Sequence, residues 1–65
     1  MIKINGNVTD KYDNKTLSFL LEQEGYKNTY IAVECNGEIV KKSEYDSKIL
    51  SDGDCLEVVN FVGGG

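Results

Sequence analysis

A chain of 65 residues makes one small domain, and 40% hydrophobic with 28% charged residues is the composition of a folded protein, not of a disordered tail. Eleven acidic and seven basic residues give a net charge of −4, and the basic residues are scattered lysines, which excludes the basic face that nucleic-acid binding needs. With no histidine, no arginine and only two cysteines, the chain lacks the usual proton-transfer residue and the four ligands of a structural zinc or iron–sulfur site, so a self-contained enzyme is not expected.

Met1-Ile2-Lys3-Ile4 alternates apolar and polar residues, the pattern of a half-buried first strand. It has no signal-peptide character, and no later run approaches the ~18 apolar residues of a membrane span, so a cytoplasmic location is expected. Asn5-Gly6-Asn7 is a hairpin signal, because Asn and Gly tolerate the positive φ of a tight turn. A second strand is expected over about Val8 to Tyr12. Thr16 is a candidate helix N-cap, and Leu17, Leu20 and Leu21 share one helical face. Gly25 stands where a left-handed C-terminal cap is wanted, which predicts a helix from Leu17 to Glu24.

Tyr30 to Cys35 reads as a strand rich in β-branched and aromatic residues, followed by an Asn36-Gly37 turn and a short strand over Glu38-Ile39-Val40. The polar stretch from Lys41 to Ser47 suits one turn of helix around Ser43-Glu44-Tyr45. Ile49 and Leu50 are expected to anchor the loop, and Asp52-Gly53-Asp54 to turn it. The last strand, Cys55 to Val62, is the most apolar.

Hairpins join strands one with two and three with four, and the helix crosses between the pairs. A second long connection lets the last strand return to the middle, parallel to the first. The expected fold is therefore α+β, a β-grasp: a mixed sheet of four to five strands with one main helix on one face. Residues 1–62 would form the domain and 63–65 a flexible glycine tail.

One helix covers only one face of the sheet. Leu56 and Val58 are therefore assigned to the core with Ile2, Ile4, Leu17, Leu20, Leu21 and Val33, while Val59 and Phe61 face outward with Val62 beside them. Such an apolar cluster on a small protein marks a partner surface, unless the sheet curls and buries it. Gly63-Gly64-Gly65 follows, the thinnest peptide available and one able to thread a narrow channel. A terminal carboxylate has a reference pKa of about 3.5 and is an anion at neutral pH. It can attack the α-phosphate of ATP in a partner enzyme, and a sulfur nucleophile can convert the resulting acyl adenylate to a thiocarboxylate. Cys35 and Cys55 read as reduced structural thiols, although neighbouring third and last strands would also allow a dithiol.

The Ile-rich first strand with its Asn-Gly turn, Lys15-Thr16-Leu17 running into Leu20-Leu21, Asn36-Gly37-Glu38-Ile39-Val40, Asp52-Gly53-Asp54 and Phe61-Val62-Gly63-Gly64-Gly65 occur in this order along essentially the whole chain. Together they resemble the ThiS family of thiamine-biosynthesis sulfur carriers. The resemblance implies that a ThiF-like adenylyltransferase uses ATP to adenylate Gly65, the carrier itself binding no cofactor. Sulfur from a desulfurase system then makes the thiocarboxylate, which a ThiG-like thiazole synthase consumes. It further implies that Gly63 and Gly64 thread the partner's active site and that Val59, Phe61 and Val62 contact it. One departure is the third glycine, since many relatives end in two; were the last residue trimmed, Gly64 would be the acceptor. A molybdopterin-synthase small subunit and a non-catalytic ubiquitin-like binding module are the alternatives.

Overall fold

The first strand, β1 (Ile2–Ile4), buries Ile2 and Ile4 and exposes Lys3, as its alternation requires. The computed structural model that contains it describes residues 1–27 and 30–61. Asn5 and Gly6 take φ of 48° and 88° and form the two-residue turn into β2 (Asn7–Thr9), which pairs antiparallel with β1. The second strand is thus shorter than the expected Val8–Tyr12. The Lys11 backbone N–H donates to Thr9 Oγ1 at 3.2 Å, a local bend that ends the ladder. Tyr12 leaves the sheet and buries its ring in the core, its hydroxyl donating to Glu24 Oε2 at 2.5 Å. That hydrogen bond, helped by burial, holds the phenol up at about 12.

Helix α1 (Leu17–Gln23) begins where Thr16 Oγ1 accepts from the Phe19 N–H at 3.1 Å. Two more N–H groups of its first turn, those of Leu17 and Ser18, donate to the carbonyls of Lys48 and Tyr45. At the other end Gly25 N–H bonds the Glu22 carbonyl and Tyr26 N–H the Leu21 carbonyl, with Gly25 at φ 82°: a Schellman cap. A helix of seven residues is too short to persist alone, so its buried Leu17, Leu20 and Leu21 hold it to the sheet.

β3 (Ile31–Cys35) and β4 (Glu38–Val40) form the second hairpin, with Asn36 and Gly37 at φ 54° and 86°. A 3₁₀ turn over Lys42–Glu44 follows, one residue earlier than expected, and the next residue, Tyr45, is buried in the core. Of the two expected loop anchors only Leu50 is buried; Ile49 is 52% exposed. The reason is backbone pairing. Leu50 exchanges hydrogen bonds with Asn14 and Lys15, which fixes Leu50 inward, and its neighbour Ile49, bridged to Thr16, then faces out.

β5 (Cys55–Asn60) lies in the middle of the sheet, whose order is β2-β1-β5-β3-β4. It runs parallel to β1 and antiparallel to β3, so the expected β-grasp topology is the observed one. Its described part stops at Asn60, short of the expected Val62, and Val62 lies outside the described residues. The Met1 ammonium sits between Asp13, at 2.8 Å, and Asp52, while Gly53 N–H donates to the Met1 carbonyl. The two carboxylates raise the ammonium pKa, and the Asp52 carboxyl is correspondingly lowered.

Asparagine side chains extend the hydrogen bonding of β5. Asn5 Oδ1 accepts from the Val58 N–H at 2.8 Å, and Asn5 Nδ2 donates to the Val58 carbonyl at 3.2 Å. Asn36 Oδ1 accepts from the Cys55 N–H at 2.9 Å. An Asn5→Gly variant keeps the permissive backbone but loses both bonds to Val58. At about 1 kcal/mol each it should lose roughly 2 kcal/mol, read as a lower urea midpoint at unchanged m-value. An unchanged midpoint would show that water replaces the amide at no cost.

Candidate functional site

Strand register places the candidate surface. Since Leu56 and Val58 pack against the helix, Cys55, Glu57 and Val59 stand on the opposite, helix-free face. The register brings Val59 opposite Ala32, Glu57 opposite Glu34, and Glu34 opposite Ile39. Val59 is 54% exposed, Phe61 56% and Ile39 66%. The sheet therefore does not curl over Val59 and Phe61. Phe61 N–H donates to the Tyr30 carbonyl at 2.7 Å, so two exposed aromatic residues sit side by side where β5 leaves the sheet.

The sequence pattern singled out Val59, Phe61 and Val62 but missed Ile39, Ala32 and Glu34. Their position on this face depends on register, and the two-residue Asn36-Gly37 turn, which pairs Cys35 with Glu38, was the available signal. Glu34 and Glu57 meet directly across two strands. Opposed like charges disfavour such a pair, so the middle of this face is acidic with apolar residues around it. The expected working residues of the tail, Gly63, Gly64 and Gly65, lie outside the described residues, as does Val62.

The two thiols are separated by the same alternation. Cys35 pairs with Leu56 on the core face and is buried, whereas Cys55 is exposed on the outer face, and both are free. Burial, with a smaller contribution from the Asp54 carboxylate, pushes the Cys35 thiol up, so it is a poor nucleophile. The dithiol alternative fails on this geometry, since the two Cβ vectors leave the sheet in opposite directions. Among the described residues no group of three or more His, Cys, Asp or Glu side chains is arranged to hold a metal ion. No helix among them is long and apolar enough to cross a membrane.

Comparison with known proteins follows the same lines. The model of the ThiS family matches residues 2–65. The sulfur carrier protein ThiS of Bacillus subtilis (strain 168) is 41% identical over 66 residues, covering 100% of each chain. The thiazole synthase of Paramagnetospirillum magneticum (strain ATCC 700264 / AMB-1) is 44% identical over 62 residues, covering 95% of this chain but only 19% of its own. The chain thus spans about a fifth of the length of that enzyme. The crystal structure of the thiamine biosynthesis protein (ThiS) from Geobacter metallireducens superposes with a TM-score of 0.77 at 30% identity, covering 98% of this chain and 97% of that one.

Because the thiols differ so sharply in access, an alkylating reagent should add once to the native protein, at Cys55, and twice in denaturant. Intact-mass analysis reads both states. Native labelling of Cys35 as fast as Cys55 would contradict the buried position.

Proposed function

The chain belongs to the ThiS family, and on that premise we propose that it is a sulfur carrier of thiamine biosynthesis whose working group is the carboxylate of Gly65. The observation that carries the reading is the position of β5. It is the central strand, hydrogen-bonded on both sides, and it leads past exposed Val59 and Phe61 directly toward the terminal glycines. The match along residues 2–65 favours the thiamine branch over a molybdopterin-synthase subunit or a docking module in which the glycines would be incidental.

The chemistry belongs to the partners, and the carrier is a cosubstrate without catalytic groups of its own. In a ThiF-like adenylyltransferase the carboxylate oxygen attacks the α-phosphorus of ATP and expels pyrophosphate. The terminal sulfur of a persulfide, loaded by a desulfurase, then attacks the carbonyl carbon and expels AMP. A thiol then attacks the inner sulfur of the resulting acyl disulfide, forming a disulfide with it and breaking the sulfur–sulfur bond. The former terminal sulfur thus leaves on the carrier as the thiocarboxylate, the form in which sulfur reaches thiazole synthase. Support for that last partner comes from the fifth of the Paramagnetospirillum magneticum thiazole synthase that this chain resembles. Tethering two proteins that must meet raises their effective concentration. These partners and the reduced thiols suit a cytoplasmic protein.

Gly63 and Gly64 thread the enzyme's channel because a chain without side chains passes where others cannot. Val59, Phe61 and Val62 rest against the channel mouth, where an exposed apolar cluster gains by burial.

Incubation with ATP, an adenylyltransferase of this type and a persulfide sulfur source should raise the intact mass by the exchange of one oxygen for sulfur at Gly65. A chain extended beyond Gly65 should show no change; sulfur transfer to the extended chain would end the carrier reading. Phe61→Asp should stay folded, since Phe61 lies outside the core, yet weaken binding to the adenylyltransferase about tenfold or more. Unchanged affinity would remove Phe61 from the interface.

A further inference from the structure

The hydrogen bonds of β5 alternate between its two neighbours, and the alternation leaves one residue over. In an antiparallel pair, residues that exchange hydrogen bonds alternate with residues that do not. Phe61 bonds Tyr30, and Asn36 N–H bonds the Cys55 carbonyl at 2.8 Å, so odd-numbered residues of β5 direct their peptide groups toward β3. Leu56, Val58 and Asn60 direct theirs the other way, toward β1. There the Leu56 carbonyl accepts from Asn5 N–H at 2.9 Å, and the Asn5 side chain takes both groups of Val58. At Asn5 the chain turns away with φ 48°, and β1 reaches no further. Among the described residues nothing bonds the N–H and C=O of Asn60, an exposed residue adjoining Phe61, so they form an open step of sheet edge.

We propose that this step is a backbone docking point: an extended segment of the adenylating enzyme adds beside Asn60 as a short strand, in the lane that β1 leaves. The occupant follows from the chemistry. A donor and an acceptor on one side of an extended residue match another extended backbone, and such pairing supplies affinity without reading side chains. Native proteins usually cover an exposed edge, and here Asn5 covers the preceding step but not this one. The position suits the role. Gly65 lies five residues beyond Asn60, an extended reach of at most about 18 Å, so pairing at Asn60 sets how far the carboxylate enters the partner's pocket. The inference rests on the carrier reading and adds to it a contact that no side chain makes.

Proline provides the test. The Asn60 N–H does not bond β3, so Asn60→Pro removes the docking donor while leaving the β3 ladder whole, and proline is accepted where an N–H faces solvent. In adenylation assays with ATP and the enzyme, Asn60→Pro should raise the half-saturating carrier concentration about tenfold at unchanged Tm. Asn60→Ala, which keeps the N–H, should stay within about twofold of wild type. Equal behaviour of the proline variant and wild type overturns the proposal, as does an alanine variant as weak as the proline one. If the proline variant fails to fold, amide hydrogen exchange in the wild-type complex decides. Slower exchange at Asn60 on binding supports the edge, and unchanged exchange rejects it. A wild-type chain that is never adenylated would instead defeat the carrier reading, so the two failures are distinguishable.

Discussion

β5 must satisfy backbone groups on both its sides, yet β1, its neighbour on one side, is only three residues long. Two asparagines resolve this as far as Val58. Asn5 and Asn36 each open a two-residue turn at positive φ, which glycine would also do. Each then uses its amide as a substitute peptide group for β5: Asn5 on both groups of Val58, Asn36 on the N–H of Cys55. Asn36 Nδ2 also reaches Asp54, whose other oxygen accepts from the Ser51 N–H, so the turn before β5 is fastened to the turn after β3. Glycine gives the backbone conformation without the amide, and glutamine the amide without the conformation. Both hairpins therefore need asparagine at this position, and β5 is ordered through them.

An ordered β5 divides the molecule into two unlike faces. The face against α1 takes the large aliphatic side chains, and two tyrosines from the loops, Tyr12 and Tyr45, close its margins. Burial raises the Tyr45 phenol and a carboxylate partner raises that of Tyr12, so both remain neutral, and Tyr12 donates to Glu24. The other face has no helix. There the opposed Glu34 and Glu57 break the rule that like charges avoid direct cross-strand pairing. A local rule broken on an exposed face with apolar neighbours supports the proposed partner surface, whose partner would bring the compensating positive charge.

Legibility in the sequence followed the range of the interaction involved. Asn-Gly turns, the Thr16 cap and the Gly25 terminus are encoded within four or five residues, and each stands within a residue of its expected place. The parallel return of β5 was also readable, because only a long connection permits it. Tyr12 was misread as strand because its apolar ring answers to Glu24 and the core, not to alternation with Val8. Ile49 and Leu50 looked equivalent, and only the pairing of Leu50 with residues 14 and 15 tells them apart. The outer-face character of Val59 and Phe61 was legible from counting helices. The contribution of Ile39 and Glu34 was not, because it requires register across three strands.

The placement of the thiols bears on the proposed chemistry itself. An acyl adenylate is an electrophile, and a thiol of the carrier within reach would capture it as a dead-end thioester. Cys35 is closed off by burial and a raised pKa. Cys55 is exposed, but it begins β5, and Gly65 lies ten residues further along the chain. At about 3.3 Å per extended residue that distance is roughly 33 Å when the tail is drawn into a partner's channel. In the proposed chemistry, the placement of Cys55 at the start of β5 thus keeps the exposed thiol away from the carbon that would accept sulfur from elsewhere.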